Sequence, residues 1–387
     1  MQAKPYILPT IVLAQFCCTS LWFASNGILE ELIIKFNLNS NALASLTSAV
    51  QFGFISGTLG FSIFTITDRF SPSKVFMASA ILGSLFNIGM IWSGNTLFTL
   101  VLSRFLTGFF LAGIYPVGMK IAADYFDKGL GKSLGFLVGA LVLGTAFPHI
   151  LKSLGAIFSW RSVVMTTSGL AVFGGLSIVL LVPDGPFRRQ SQHLDLSAFF
   201  KVFQNTKFRA AAFGYFGHMW ELYAFWAFVP VLLKDYNGLY DTSIPVSFWS
   251  FTIIALGGIA CVLGGYISIA AGTKKTAALA LMFSGICCLI SPLVLGYGNS
   301  LVLLVFLCFW GMVVIADSPL FSTLVATHAH SEIKGTALTI VNCIGFAITI
   351  ASIQMISLLQ QLVTWEYSYL LLSFGPIFGL YSLSRKE

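Results

Sequence analysis

Twelve apolar runs of about 20 residues each constrain this chain more than any other feature of its sequence. A helix of about 20 residues crosses the ~30 Å hydrocarbon core of a bilayer. Lipid offers no hydrogen-bond partner to free backbone groups, so a run that crosses it must be helical. With 57% hydrophobic and only 9% charged residues, the chain has too few charges for a soluble surface. The sequence therefore predicts an all-α membrane protein with 12 transmembrane helices, at about 7–29, 43–66, 75–93, 96–117, 133–155, 162–182, 210–233, 247–270, 276–296, 299–320, 334–358 and 366–383.

Lysine and arginine are distributed unevenly between the predicted loops. If the N-terminus lies inside, sixteen of the 21 basic residues are cytoplasmic, four lie on the opposite side, and Arg104 lies within a span. This positive-inside bias predicts a protein integral to the plasma membrane, of the bacterial inner-membrane type, with both termini cytoplasmic. The bias also accounts for the net charge of +7, which is therefore no sign of nucleic-acid binding.

The sequence also repeats weakly, at an offset of about 204 residues. Two six-helix halves with pseudo-two-fold symmetry are a recurring membrane-protein plan. We therefore predict an N-terminal half at 1–182, a cytoplasmic linker at 183–209 and a C-terminal half at 210–387. Within the linker, the pattern of 194–203 favours a short helix on the inner membrane surface. Four pairs of segments match in the same order: Gly94-Asn95 with Gly298-Asn299, Ile114-Tyr115-Pro116 with Asp317-Ser318-Pro319, Gly131 with Gly335, and Trp160-Arg161 with Trp365-Glu366.

Two short motifs in the first half combine charges with small residues. After the second span, Asp68 and Arg69 are followed by Lys74, and such a turn can pair with helix ends and hold two helices together on the cytoplasmic side. In the fourth span, Arg104 and Gly108 share one helical face. A charged residue inside a span is costly, so we expect Arg104 to have a function or a specific partner.

The fifth span contains Gly139, Gly144 and Pro148, which allow close packing and a bend. Together with the acid–base turn and the Arg-x-x-x-Gly pattern, these residues resemble the major facilitator superfamily over the whole chain. The Gly-Pro pair that completes the fifth-helix pattern of drug–proton antiporters is missing. Within the family, the chain resembles nitrate/nitrite porters and cyanate permeases, although it lacks the paired-glycine signatures of the nitrate porters. The resemblance implies the two-half, 12-helix fold and secondary transport.

The ionisable residues within the spans are the main candidates for chemistry. Arg104 either binds an anionic substrate or ties helices together through backbone carbonyls. His218 and Glu221 lie one turn apart in the seventh span and either carry a coupling proton or form a clamp between helices. Asp317 precedes Ser318-Pro319, and it is either a second protonation site or substrate contact at a helix break, or a solvated residue at the cytoplasmic edge.

Other polar and aromatic residues in the spans are candidates for the wall of a central substrate cavity. For the amides, the alternative is hydrogen bonding between helices, and for the aromatic residues it is packing or anchoring at the membrane interface. We assign His218 to this substrate-binding set as well as to the proton path. The remaining candidates for substrate binding are Trp22, Asn26, Tyr115, Trp220, Tyr223 and Asn342.

These observations predict a secondary active transporter that works by alternating access. The first hypothesis is proton-coupled uptake of a small anionic metabolite, and the alternative is a proton-driven antiporter that exports a drug-like or cationic compound. No phosphate-binding glycine loop and no catalytic triad are evident, so we expect no enzyme. The seven cysteines lie in apolar runs without metal-ligand spacing, so neither metal nor cofactor is expected. The expected partners of the monomer are its substrate, protons and the lipid bilayer.

Overall fold

The chain forms two compact units, Met1–Leu194 and Asp195–Glu387, in a computed structural model. The structure describes residues 4–39, 41–126, 130–155, 159–188, 202–329 and 334–385, and within these ranges it consists of helices and turns without strands. Ten helical segments of the described residues are long and apolar enough to cross a membrane. Residues 189–201 of the predicted linker, which include most of the surface helix predicted at 194–203, lie outside the described residues.

Ten α-helices make up the described part of the first unit. The starts of two of them follow from local chemistry. Pro72 stands in the first turn of its helix, where its missing N–H is not needed. The Thr96 side chain accepts a hydrogen bond from the Thr99 backbone and closes a capping box. The helices are α1 Ile7–Thr19, α2 Ala24–Gly27, α3 Leu29–Phe36, α4 Ala42–Ile63, α5 Ile66–Arg69, α6 Pro72–Ile88, α7 Leu97–Leu111, α8 Tyr115–Tyr125, α9 Leu130–Ser153 and α10 Trp160–Leu181.

The first predicted span is broken, and the prediction of one helix over 7–29 was wrong. The chain turns between α1 and α2, and again before α3. The hydroxyl groups of Thr19 and Ser20 donate to the carbonyls of Gln15 and Cys17, which competes with the regular backbone pattern at the end of α1. The carbonyl oxygen of Trp22 accepts a hydrogen bond from a side chain of another helix, so tertiary contacts stabilise the break.

The second unit contains eight described α-helices. A 3-10 segment at Tyr369–Ser373 joins the last two, so the predicted final span is also interrupted rather than continuous. The predicted fourth and tenth spans end too early, because α8 and α15 continue them to Tyr125 and His328. The helices are α11 Thr206–Tyr240, α12 Val246–Ala271, α13 Thr273–Leu295, α14 Ser300–Ala316, α15 Ser318–His328, α16 Lys334–Leu362, α17 Trp365–Ser368 and α18 Phe374–Ser384.

The same close helix pair occurs in both units. In the first unit, a methyl group added to Gly108 on α7 would collide with the carbonyl oxygen of Val50 on α4. In the second unit, a methyl group added to Gly311 on α14 would collide with the carbonyl of Ile253 on α12. Small residues allow such close approach between membrane helices. The predicted motif residue Gly108 therefore has a packing role that its counterpart in the second unit repeats.

Candidate functional site

The centre of the second unit holds a buried carboxylate, Glu221 on α11, whose side chain is almost completely inaccessible. Its Oε1 atom accepts a hydrogen bond from Trp310 Nε1 on α14 at 2.6 Å, and Cys288 Sγ on α13 lies 3.3 Å away. Its Oε2 atom lies 2.9 Å from Ser284 Oγ, also on α13. Three donors on one carboxylate compensate for its removal from water, and no basic residue among those described forms an ion pair with it.

The Ser284 hydroxyl is compatible with either protonation state of Glu221. Ser284 Oγ lies 2.9 Å from Glu221 Oε2 and 3.0 Å from the carbonyl oxygen of Leu281. A hydroxyl has one hydrogen, so it cannot donate to both oxygens at once. When Glu221 is ionised, Ser284 donates to the carboxylate. When Glu221 carries a proton on Oε2, Ser284 Oγ accepts a hydrogen bond from that carboxyl group and donates its own hydrogen to the carbonyl of Leu281, so neither oxygen loses its partner.

A second acid lies close to this cluster. Asp317 stands at the junction of α14 and α15, and His218 Nδ1 on α11 lies 2.8 Å from its Oδ1 atom. Both side chains are buried, so the alternative of a solvated Asp317 is wrong. Among the described residues, His218 Nε2 and Asp317 Oδ2 have no hydrogen-bond partner. Because His218 stands one turn before Glu221 on α11 and also contacts Asp317, the unit holds two buried acids on either side of one imidazole.

The helix junction at Asp317 follows from Pro319 in the first turn of α15. Proline has no N–H to donate to the carbonyl four residues earlier, which is that of Ile315. The thiol of Cys261 on α12 donates to this carbonyl at 3.5 Å. The sequence thus breaks the helix directly beside the acid, and a thiol from a neighbouring helix bonds the carbonyl that lacks the proline's N–H.

The first unit holds a buried cation, Arg104 on α7. Its Nη1 donates to Asn87 Oδ1 at 2.9 Å, and its Nη2 donates to the carbonyl oxygens of Leu21 at 2.8 Å and Trp22 at 2.6 Å. Among the described residues, no carboxylate forms an ion pair with Arg104, and its Nε has no partner. Arg104 therefore stabilises the break after α1 through neutral acceptors, and its charge stays uncompensated by any of these carboxylates.

Two of the other substrate-binding candidates of the first unit, Trp22 and Asn26, lie at this break. Asn26 on α2 donates from Nδ2 to Thr47 Oγ1 on α4 at 2.9 Å. The centroid of the Trp22 ring lies 4.9 Å from that of the Phe54 ring, which is also on α4. Tyr115 is the first residue of α8 and is partly buried. The structure therefore brings Trp22 and Asn26 together with Arg104, all at the broken first span.

The candidates of the second unit connect helices. Trp220 Nε1 donates to the carbonyl oxygen of Leu371 in the 3-10 segment at 2.9 Å. Asn342 on α16 accepts a hydrogen bond from the hydroxyl of Tyr215 on α11 at 3.1 Å. The Tyr223 ring packs against Trp226 and against Phe346 of α16, with ring centroids 5.4 Å and 5.3 Å apart. For Trp220, the structure favours the packing alternative.

The predicted acid–base turn forms part of a charged network. Asp68 Oδ1 lies 3.2 Å from Lys120 Nζ on α8, whereas Arg69 Nε donates to Thr65 Oγ1 at 3.1 Å within its own turn. Lys74 is exposed on α6. Of the three predicted residues, Asp68 is the one that connects the turn to a different helix.

The sequence did not predict the rest of this network. Arg188, in the segment after α10, donates from Nη2 to the carbonyl of Phe70 at 2.9 Å and pairs through Nη1 with Asp184 at 2.7 Å. Ser71 Oγ donates to Asp184 at 2.6 Å. The turn before α6, the middle of α8 and the segment after α10 are therefore linked by charges that stand far apart in sequence.

The small residues of the fifth span set its packing against the first span. Gly139 is buried on α9. A methyl group on Gly144 would collide with the Thr19 hydroxyl of α1. A methyl group on Gly27 would lie 2.9 Å from Cβ of Pro148. Gly144 and Pro148 therefore define how closely α9 approaches both sides of the break.

Comparison with known proteins is consistent with this architecture. A family model described as Major Facilitator Superfamily matches residues 11–353. The sialic acid transporter NanX of Escherichia coli (strain K12) is 24% identical over 273 residues, which cover 65% of this chain and 62% of that protein. The match thus leaves more than a third of NanX uncovered. A crystal structure of a variant of the nucleoside transporter NupG has a TM-score of 0.73 and 13% identity, covering 97% of this chain and 98% of that one, which shows the fold.

Proposed function

The chain belongs to the Major Facilitator Superfamily, and we propose that it takes up a small anionic metabolite together with protons, by alternating access. The protein is an integral membrane transporter rather than an enzyme. The observation that carries the proposal is the buried group of Glu221, His218 and Asp317 in the second unit. Ionisable residues inside membrane helices commonly mark ion and proton pathways.

Proton coupling requires a group whose protonation changes the energy of a conformation. A buried carboxylate without a basic partner makes a closed, dry conformation expensive, and a proton on it removes that charge. Glu221 is compatible with both states through the Ser284 hydroxyl, and Asp317 has an oxygen without a partner among the described residues. These contacts support a cycle in which proton binding and release accompany the change in access.

The anionic substrate is supported by the first unit. Arg104 brings a positive charge into a buried region where, among the described residues, no carboxylate neutralises it. An anion that entered this region would gain from that charge in a low dielectric. The name of the relative NanX refers to sialic acid, a carboxylate at neutral pH, which agrees with an anionic substrate.

The placement in the cell is part of the proposal. The uneven distribution of lysine and arginine supports cytoplasmic termini and a bacterial inner membrane. Each unit has its own compact core, and we propose that one chain is sufficient for transport. Crosslinking of the reconstituted protein tests the monomer, and protease access to tagged termini in right-side-out vesicles tests the orientation.

The decisive experiment measures proton movement in proteoliposomes that contain an internal pH dye. The vesicles are challenged with small organic anions including sialic acid, with neutral metabolites and with cationic drugs. We expect an anion to cause inward acidification, and Glu221→Gln to reduce it by about 100-fold, because groups that transfer protons contribute on this scale. Exposed Glu30→Gln on α3 is the matched control.

Two results would contradict the proposal in different ways. Anion accumulation driven by a pH gradient in both Glu221→Gln and Asp317→Asn would rule out proton coupling through these acids. Proton movement opposite to that of a cationic compound would instead support the antiporter alternative.

A further inference from the structure

We infer that the first unit recognises a substrate with several hydroxyl groups, at the break between α1 and α2. This inference rests on the proposed uptake of an anion and specifies its chemical class as a polyhydroxylated organic acid. The argument starts from buried polar side chains that the described fold leaves without partners.

Besides the Thr58 hydroxyl and Arg104 Nε, four polar side chains of the first unit are buried and have atoms without hydrogen-bond partners among the described residues. They are both polar atoms of Gln15 and of Gln51, the hydroxyl of Thr145 and Nε2 of His149, on side chains that are at most 2% exposed. Buried polar groups in native proteins are nearly always satisfied, so several exceptions in one unit need an explanation. A ligand that supplies the missing hydrogen bonds provides one.

Gln51 faces the broken span from α4. It stands one turn after Thr47, which accepts a hydrogen bond from Asn26, and one turn before Phe54, whose ring packs on Trp22. Residues three and four positions apart share a helical face, so Gln51 lies on the face of α4 that contacts the break.

The other three side chains lie on the first span itself and on α9, which packs against it. Thr145 and His149 share one face of α9, beside the face on which Gly144 and Pro148 contact Thr19 and Gly27 on either side of the break. Gln15 lies one turn before Thr19 on α1. A methyl group on Gly118 of α8 would collide with the Gln15 side-chain oxygen, which places this amide at the α1–α8 contact.

The chemistry of these four residues selects the ligand. Glutamine amides and a threonine hydroxyl both donate and accept hydrogen bonds, and a neutral imidazole nitrogen does either. Their natural counterpart is the hydroxyl group, which also does both. None of the four is acidic, so they offer nothing specific to a cation. Arg104, which bonds the carbonyls of Leu21 and Trp22 at the break, adds the charge that favours a carboxylate.

The test measures binding to the purified protein without a proton gradient, so that it is independent of coupling. Intrinsic tryptophan fluorescence is titrated with gluconate, glucuronate and sialic acid, and with hexanoate and sorbitol as the analogues that lack the hydroxyls or the charge. We expect at least one hydroxylated acid to bind roughly 10- to 100-fold more tightly than hexanoate, because each missing hydroxyl leaves buried groups unpaired.

Substitutions distinguish a role of these side chains in ligand recognition from a role in the stability of the fold. Gln51→Leu and the nearly isosteric Thr145→Val should weaken binding of the hydroxylated acid about tenfold, while the protein unfolds at the same or a higher temperature. Thr323→Val, at an exposed position of α15, is the control and should change neither the affinity for the hydroxylated acid nor the unfolding temperature. A structural role would produce the opposite pattern, with lower thermal stability and unchanged affinity.

The inference and the proposed function fail in distinguishable ways. Equal affinity for gluconate and hexanoate, or binding by none of the hydroxylated acids, would overturn the inference. Selective binding of a hydroxylated acid in a protein whose transport moves no protons would support it and contradict the coupling proposal alone.

Discussion

Equivalent helix junctions in the two units carry opposite charges. In the first unit, the first, third and fourth spans meet around Arg104, which bonds to Asn87 and to backbone carbonyls. In the second unit, the corresponding helices meet around Glu221, which accepts hydrogen bonds from Trp310 and Ser284. The same arrangement of helices thus holds a cation in one unit and an anion in the other.

The difference shows which residues the fold requires and which it only accommodates. Gly108 and Gly311 occupy matching positions and make the same close contact with a backbone carbonyl. The position in α14 that matches Arg104 is Leu307, which is fully buried as well. Packing residues are therefore kept between the units while charges differ, which is expected when function resides in a few side chains on a shared scaffold.

The largest expected effect comes from replacing Arg104 with leucine, the residue type found at the matching position of the second unit. Arg104→Leu should reduce anion uptake at least about 100-fold, because it removes a buried positive charge at the break and leaves Asn87 and two carbonyls without their donor. Uptake and binding of the labelled anion measure this effect. Arg104→Lys should retain part of the activity, since it keeps the charge but not the planar geometry. Normal anion uptake by Arg104→Leu would remove Arg104 from the substrate site.

The glycine contacts provide a test of the symmetry itself. Gly108→Ala and Gly311→Ala should each destabilise the protein by about 2–3 kcal/mol, since a methyl group collides with a backbone carbonyl. Gly265→Ala, where nothing lies within 4 Å, is the matched control and should be neutral or slightly stabilising. Thermal unfolding in detergent measures all three. A large loss of stability in only one of the two glycine variants would show that the two units do not share this packing requirement.

A smaller effect is expected at the hydroxyl beside Glu221. Ser284→Ala should reduce proton-coupled uptake about tenfold, the equivalent of one hydrogen bond to a charged group. The ionised carboxylate loses the stronger bond, so the pH dependence of uptake should move to higher pH. Ser284→Thr keeps the hydroxyl and should restore the original profile. A pH profile unchanged by Ser284→Ala would assign the serine a packing role.

The smallest effect concerns the charged network of the first unit. Asp68 and Lys120 are partly exposed, and such pairs contribute about 0–1 kcal/mol. Asp68→Asn should therefore lower thermal stability by no more than a few degrees and slow uptake less than about fivefold, with a weaker effect in high salt. Complete loss of transport would show that the turn does more than hold helices together.

The sequence predicted those parts of the molecule that depend on local chemistry. Apolar runs predicted the membrane helices, and the unusual presence of charge in a span identified Arg104, Glu221 and Asp317. The partners of these residues were not predictable. Ser284, Cys288 and Trp310 are ordinary residue types in apolar helices, and only the packing of α11, α13 and α14 brings them to one carboxylate.

The errors also have physical causes. The break after α1 depends on Arg104, which stands more than 80 residues further along the chain and bonds the carbonyls of Leu21 and Trp22. No local pattern at 20–23 could reveal that interaction. Gln15 and His149 were overlooked because a single polar residue in a span usually bonds to a neighbouring helix. Their lack of partners among the described residues becomes visible only in three dimensions.

The thiol beside Glu221 gives the protein a chemical reporter of its own. Cys288 is a free, fully buried cysteine whose Sγ lies 3.3 Å from the carboxylate. A maleimide reaches this sulfur only when water reaches Glu221, since the thiolate that reacts forms only in contact with solvent. The labelling rate of Cys288, distinguished from its neighbour Cys287 by fragment-ion mass spectrometry, would therefore time the opening of the acidic site in the unmodified chain.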